Sequence, residues 1–271
     1  MTAPRFAVHI MAHTEPHLFG DLVASLAHER IDVYAHIDAK VDERPFAEAA
    51  AGGARFVAPR VRVNWGGFSQ VRATVESLAT ARDGYQRHSL LSGADVLLRP
   101  LDEVVEAWST DDELIRIDQP LNDPAYSHWT KVDRYHFPDH PRLRIASARL
   151  RRRVPDTRPL VQGSTWWSLT GAAVRHLRER LATERDWVEF FRYSLCPDEY
   201  VFHSLLSDSP FAAAIRGGDG PNVHGQHYIE WPSDGWHPRT LTEDDLPRAL
   251  DSGALFARKV GPRWTWRGVL T

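Results

Sequence analysis

A single cysteine, Cys196, in 271 residues leaves no internal disulfide and excludes a zinc site built on cysteines. No apolar run approaches the roughly 18 residues of a membrane span. The opening MTAPRFAVHIMAH lacks the pattern of a secretory signal. Charge of one sign is also missing: 33 Lys+Arg against 36 Asp+Glu gives a net charge of −3, which argues against a general nucleic-acid binder. There is no GxGxxG, no Walker-type loop and no nucleophile elbow. The 14 histidines include only two tight groupings, His36 with Asp38 and His136 with Asp139 and His140, and neither has a diagnostic metal spacing. These absences leave a soluble, cytoplasmic globular protein with no resident metal as the expectation.

What is present builds a core. Hydrophobic residues make up 42% of the chain, so wholesale disorder is excluded. The length suits one large domain or two small ones, and the lack of repeats and linkers favours a single domain over residues 1–271. Ten tryptophans serve core packing, or stacking on sugar rings and bases. Phe6, Val8 and Ile10 alternate as in a strand. Thr14-Glu15-Pro16 then predicts a capped helix start, with Leu18, Leu22, Val23 and Leu26 at helical spacing. Val33–Ile37 reads as a second strand, Ser89–Leu91 as another and Leu114–Ile117 as a fourth. Ser69 is expected to cap a helix carrying Val71, Val75, Leu78 and Ala79 on its inner stripe. Such alternation predicts an α/β fold with a mostly parallel sheet, whose ligands bind beyond the carboxyl ends of the strands. His13, Asp38 and Asp95 all fall just past expected strand ends.

Residues 120–160 read as irregular and rich in Arg and Pro, with seven arginines between Arg142 and Arg158. A solvated, mobile segment is the first reading; a site for an anionic acceptor or a lipid headgroup is the second. Order returns at Trp166–Leu169 and in a helix over about 172–182. Three stretches carry candidate chemistry. Trp65-Gly66-Gly67-Phe68-Ser69 suits close backbone approach to a ligand at a helix N-terminus, and equally an ordinary strand-to-helix turn. In Cys196-Pro197-Asp198-Glu199-Tyr200, Pro and Asp start a helix and place Glu199 in its first turn, where a carboxylate also complements the helix dipole. In Leu255-Phe256-Ala257-Arg258-Lys259, two cations follow a strand-like run and suit either phosphate binding or surface charge.

In order and spacing, VYAHIDAK, VNWGGFS, LLSGAD, GSTWWSLT, CPDEY and LFARK resemble the core-2/I-branching β-1,6-N-acetylglucosaminyltransferase family, which includes the peptide O-xylosyltransferases. The likeness runs over roughly residues 5–260, and the short length resembles the bacterial members. It implies a GT-A-type nucleotide-binding fold, a mostly parallel sheet flanked by helices. The implied reaction is inverting transfer from a UDP-sugar, most simply UDP-N-acetylglucosamine, to a hydroxyl of a glycan or other acceptor without a bound metal. A UDP-xylose-type transferase and a non-catalytic sugar-nucleotide or glycan binder are the alternatives.

By the same resemblance Glu199 is the catalytic base, and Lys259, with Arg258 beside it and Arg239 upstream, holds the diphosphate. Asp38 with Lys40, His13, Trp65 and Gly66 complete the nucleotide side. Asp95, Glu103, Trp166 and Trp231 make the acceptor side, with Trp65, Trp166, Trp167 and Trp231 as candidate stacking surfaces. Two departures fall on the acceptor side: Val96-Leu97 where many relatives have x-Pro after the aspartate, and His227 before Tyr228-Ile229-Glu230-Trp231. The implied partners are the UDP-sugar and the hydroxyl acceptor, with peripheral membrane association open and no nucleic acid.

Overall fold

The computed structural model describes residues 5–81, 83–120, 128–155, 158–232 and 237–266, so parts of the irregular 120–160 segment lie outside the described residues. Among the described residues thirteen strands are present: β1 Phe6–Ala12, β2 Ile31–Ile37, β3 Arg55–Phe56, β4 Arg87–Ser92, β5 Asp95–Leu97, β6 Glu113–Leu114, β7 Ile117–Pro120, β8 Val161–Gly163, β9 Ser168–Thr170, β10 Ile215–Arg216, β11 Val223–His224, β12 His227–Ile229 and β13 Phe256–Arg258. The helices are α1 Pro16–Ser25, α2 Arg44–Ala50, α3 Ser69–Thr80, α4 Leu101–Trp108, α5 Gly171–Thr183, α6 Arg185–Arg192, α7 Val201–Ser207 and α8 Leu246–Asp251. Seven strands form one sheet in the order β10-β6-β9-β4-β1-β2-β3, parallel except where β9 runs against β4 and β6. The fold is therefore α/β, with a mostly parallel central sheet flanked by helices.

The apolar alternation read in the first strand is real but incomplete. Phe6, Val8 and Ile10 are fully buried, and so are Ala7 and His9 on the opposite face, as expected of a central strand covered on both sides. His9 is tolerated there because its ring nitrogens reach Ser77 Oγ at 2.8 Å and His88 Nδ1 at 3.0 Å. That contact turns Ala73, Thr74 and Ser77 of α3 inward beside Val71 and Leu78. Ala79, expected on the inner stripe, faces solvent. Arg87 is buried as well, and its guanidinium donates to the carbonyls of Trp108, Thr110, Asp112 and Ser168. One side chain thus satisfies the end of α4 and ties it to the sheet.

Three local expectations need correction. Thr14 does not cap α1: Glu15 occupies the N-cap position at φ 52° with no side-chain cap, because Pro16 disfavours a right-handed helical residue before it. Ser69 is the first residue of α3, not its cap. Leu114–Ile117 is not one strand. The chain leaves the large sheet after Leu114 and re-forms as β7 in a separate two-stranded ribbon with β8.

A smaller four-stranded sheet, β11-β12-β13-β5, brings together segments from three distant parts of the chain. Because β1, β2 and β4 are parallel, His13, Asp38 and Gly93-Ala94-Asp95 all emerge at one edge. β1 and β4 are adjacent there, while β1 continues to β2 on its other side, which makes this the reversal point where such sheets bind ligands. Gly93 allows the approach: a Cβ on it would lie 2.7 Å from the Ala12 Cβ.

Candidate active site

Glu199 lies on the turn Pro197–Glu199, a short 3₁₀ segment separate from α7, and so not in the first turn of that helix. Cys196, at φ 52°, enters the turn, and the amides of Glu199 and Tyr200 close it onto Cys196 and Pro197 carbonyls at 3.1 Å each. The Glu199 Oε2 accepts from Lys131 Nζ and from Gln162 Nε2, both at 2.8 Å. Its Oε1 accepts no hydrogen bond among the described residues, and the side chain is one-fifth exposed. Two donors therefore hold one oxygen and leave the other open. Burial alone would lower the Lys131 pKa, but the Glu199 carboxylate and the neighbouring Cys196 and Asp198 outweigh it and raise the ammonium above its ordinary value.

Asp198, the neighbour, is buried. Its Oδ2 accepts from Thr165 Oγ1 at 2.7 Å and Gln70 Nε2 at 3.2 Å, while Oδ1 has no partner among the described residues. Burial, followed by the negative field of Glu199, pushes this carboxyl up to about 6. Gln70 in turn accepts from the Gly66 amide at 2.5 Å, and the Gly66 carbonyl receives the Cys196 amide at 2.9 Å. The Trp65-Gly66-Gly67 loop is thus fastened to the turn carrying Glu199.

This loop is not an open anion cradle. Asp139 accepts from the Ser69 amide at 2.9 Å, from the Ser69 hydroxyl and from Asn64 Nδ2 at 3.0 Å, so the start of α3 is capped by a side chain 70 residues away. A Cβ on Gly67 would sit 2.4 Å from the Asp139 carboxylate, and one on Gly66 would sit 2.8 Å from Leu195. The glycine pair is required by packing on Asp139 and Leu195. Trp65 remains half-exposed and tilts against His237 at 5.2 Å.

The second half of the site gathers at the end of β4. Asp95 is fully buried: Oδ2 accepts from the Ser92 amide at 2.8 Å and lies 3.1 Å from His227 Nε2, and Oδ1 lies 3.6 Å from Arg258 Nη1. For the bond to His227 to form, Nε2 carries the proton. Burial would raise the Asp95 pKa, but Arg258, His227 and Ser92 hold it below the ordinary carboxylate value. Arg258 stacks against Trp166, its guanidinium carbon 4.1 Å from the ring centre. Asp95, Arg258 and Trp166 are thus brought together, with Asp95 sealed inside. Lys259 follows. Its chain is fixed by the Val260 amide on Ala94 and the Leu241 amide on the Lys259 carbonyl. Its ammonium pairs with no carboxylate among the described residues. Thr165 touches Asp198 while its neighbour Trp166 covers Arg258, so two consecutive residues join the two halves.

The other candidates divide. Asp38 accepts from the Lys40 and Val63 amides at 2.9 and 3.2 Å and pairs with Lys40 Nζ at 3.3 Å, at the same sheet edge. His13 is exposed at that edge. Trp231 is half-exposed, whereas Trp167 is fully buried in the core and unavailable for stacking on a ligand. Arg239 bonds Glu230 at 2.8 Å and Asp245 at 2.7 Å, so its charge is already matched inside a network with Arg248. Glu103 is exposed on α4 and bonds to none of the others among the described residues. Sequence reasoning missed Lys131, Gln162, Gln70 and Thr165. Nothing in the spacing signals them, since Lys131 meets Glu199 across 68 residues. Among the described residues no three His, Cys, Asp or Glu side chains gather as metal ligands.

The family model of the Core-2/I-branching enzyme matches residues 9–252. The chain belongs to the Core-2/I-branching enzyme family. Members of this family are glycosyltransferases, and Asp38, the WGG loop, Asp95, Trp166 and Glu199 all fall within the matched span. Arg258 and Lys259 lie beyond it. No match is found among curated proteins. Among solved structures, the chain is similar to 4-diphosphocytidyl-2C-methyl-D-erythritol synthase from Anaerococcus prevotii, at 12% identity over 92% of this chain and 95% of that one, TM-score 0.43. It is also similar to apo mouse xyloside xylosyltransferase 1, at 11% identity over 94% and 97% of the two chains, TM-score 0.47. At those scores neither likeness bears on the reading of the site. No helix of the described residues is long and apolar enough to cross a membrane.

Proposed function

We propose that this Core-2/I-branching member is an inverting transferase that moves a sugar, N-acetylglucosamine in the first instance, from a UDP-sugar to a hydroxyl acceptor without a metal. The observation that carries this reading is the Glu199 carboxylate, held by Lys131 and Gln162 through one oxygen with the other open. A hydroxyl is a poor nucleophile near neutral pH, and a carboxylate placed to take its proton is worth about 10²–10⁴ in rate. As the acceptor oxygen bonds to the anomeric carbon from one face, the bond to the UDP oxygen breaks on the other, and the configuration inverts. The sugar passes through an oxocarbenium-like state, as in glycoside hydrolysis.

Negative charge then grows on the departing diphosphate. Arg258 is already balanced by Asp95, so Lys259 supplies the uncompensated charge at this edge. An ammonium about 4 Å from the diphosphate is worth about 4 kcal/mol at an effective dielectric near 20, before desolvation is counted. Asp38 with Lys40, His13 and Trp65 line the nucleotide side, and Trp166 and Trp231 offer ring faces to sugar or base.

The test is titration with UDP, UDP-N-acetylglucosamine and UDP-xylose in excess chelator, followed by release of UDP in the presence and absence of hydroxyl acceptors. Binding of UDP and turnover in chelator are expected. Activity lost in chelator and restored by Mn²⁺ overturns the metal-independent reading. Binding with no turnover or donor hydrolysis under any condition assigns the chain as a sugar-nucleotide binder.

A further inference from the structure

The segment that the transfer chemistry leaves unused is the Arg-rich hairpin. Its two arms are antiparallel: Tyr135 and Leu150 bond through their backbones, as do Ala148 and Tyr135, and Arg134 bridges Arg151. Its tip is the short 3₁₀ turn Pro141–Ala146. The base is anchored. Arg152 lies 4.0 Å over the Phe190 ring and donates to the carbonyls of Val132 and Phe190 and to Ser194 Oγ. Before the tip, Asp139 is locked onto Ser69 and Asn64.

The tip itself is unlike the rest of the surface. Ile145 is 76% exposed, Leu150 58% and Leu143 48%, and together with Tyr135 they make four of the six large exposed hydrophobic residues described; the other two are Trp65 and Trp231. Interleaved with them are Arg142, Arg144, Arg149 and Arg151, all exposed and paired with no carboxylate among the described residues. No acidic residue occurs from His140 to Pro155, in a chain whose net charge is −3.

We infer that this tip is a docking surface for an anionic lipid bilayer. An acidic polymer would engage the guanidiniums and leave three aliphatic side chains in water. A lipid interface takes both, the aliphatics entering the headgroup–acyl boundary and the arginines meeting anionic headgroups. The anchored base presents the tip as a fixed wedge, and Asp139 and Lys131 join it directly to the loop and turn that carry the candidate site.

The experiment is sedimentation of the full chain with phosphatidylcholine vesicles, with or without about one third phosphatidylglycerol, at low and high salt. Binding to the anionic vesicles alone, weakened by salt, is expected. Arg142→Gln with Arg144→Gln lowers it about 25-fold, about fivefold for each charge removed. Leu143→Ser with Ile145→Ser lowers it at least about tenfold by removing the inserted apolar surface. All four positions are exposed, so each variant is expected to keep the parent melting temperature, and either folded variant tests the surface on its own. No binding to anionic vesicles overturns the inference. So does binding that polyphosphate competes away but the serine variant does not weaken, which assigns the surface to acidic polymers. Neither result touches the transferase reading, which rests on other residues and another measurement.

Discussion

Asp95 and Glu199 belong to the two halves joined by Thr165 and Trp166, each beside a cation, and their surroundings make them opposites. Asp95 has both oxygens engaged by Ser92, His227 and Arg258 and is closed to solvent. Glu199 has one oxygen engaged by Lys131 and Gln162 and one open, on a side chain that solvent reaches. A carboxylate whose partners are complete holds structure; one left half-satisfied and reached by solvent can take a proton from an incoming group. Arg239 and Lys259 repeat the contrast among cations, the first consumed by Glu230 and Asp245 and the second without a carboxylate partner among the described residues.

The largest effect separates the two carboxylates. Glu199→Gln keeps an acceptor for Lys131 and loses the base, so transfer is expected to fall by about 10²–10⁴, with a loss of stability from the uncompensated Lys131 ammonium that is smaller than at Asp95 because solvent reaches Glu199. Turnover within a few fold of the parent, measured as UDP release, would sink the assignment. Asp95→Asn should do the reverse. It leaves Arg258 uncompensated in a buried site, at a cost of about 3–5 kcal/mol of folding stability in a urea titration. A stable Asp95→Asn protein with lost turnover would mean that Asp95 faces substrate after all.

A third, smaller effect concerns Asp198. Its folded pKa of about 6 lies above the ordinary 3.8, so the folded state holds the proton more tightly than the unfolded chain. Its contribution to stability is greatest below about pH 4, falls as pH rises to about 6 and is then flat. Asp198→Asn mimics the protonated form and should be more stable than the parent at pH 8, by at most roughly 3 kcal/mol, with the difference gone near pH 4. Equal gains at both pH values would show that the carboxyl is not held protonated by the fold.

The smallest effect sharpens the cation contrast. Lys259→Ala is expected to weaken UDP binding by about tenfold, whereas Arg239→Ala, which removes an already balanced charge, changes it by no more than about threefold. Calorimetric titration of both variants distinguishes them. Equal losses would place Arg239 on the diphosphate as well.

Much of this was legible along the chain. β1, β2 and β4, the inner stripe of α1 and the placing of His13, Asp38 and Asp95 past strand ends follow from apolar periodicity and from the geometry of parallel sheets. Glu199 stood out in its short motif. The pairing of Lys131 with Glu199 was not legible, nor was the capping of α3 by Asp139, because both join segments about 70 residues apart. The reading of Leu114–Ile117 as one strand failed for a related reason. A four-residue stretch with three apolar members, Leu114, Ile115 and Ile117, does not say that a chain will change sheets in its middle.

Local pattern thus marked candidate residues and the edge of the sheet at which His13, Asp38 and Asp95 emerge, since both depend on side-chain type and on periods of two and 3.6 residues. Tertiary structure alone decided which of them are available. Whether a carboxylate is sealed like Asp95 or open like Glu199, and whether a cation is spent like Arg239 or unspent like Lys259, depends on neighbours delivered from distant parts of the chain. Burial and pairing are properties of that packing, and no window of sequence contains them.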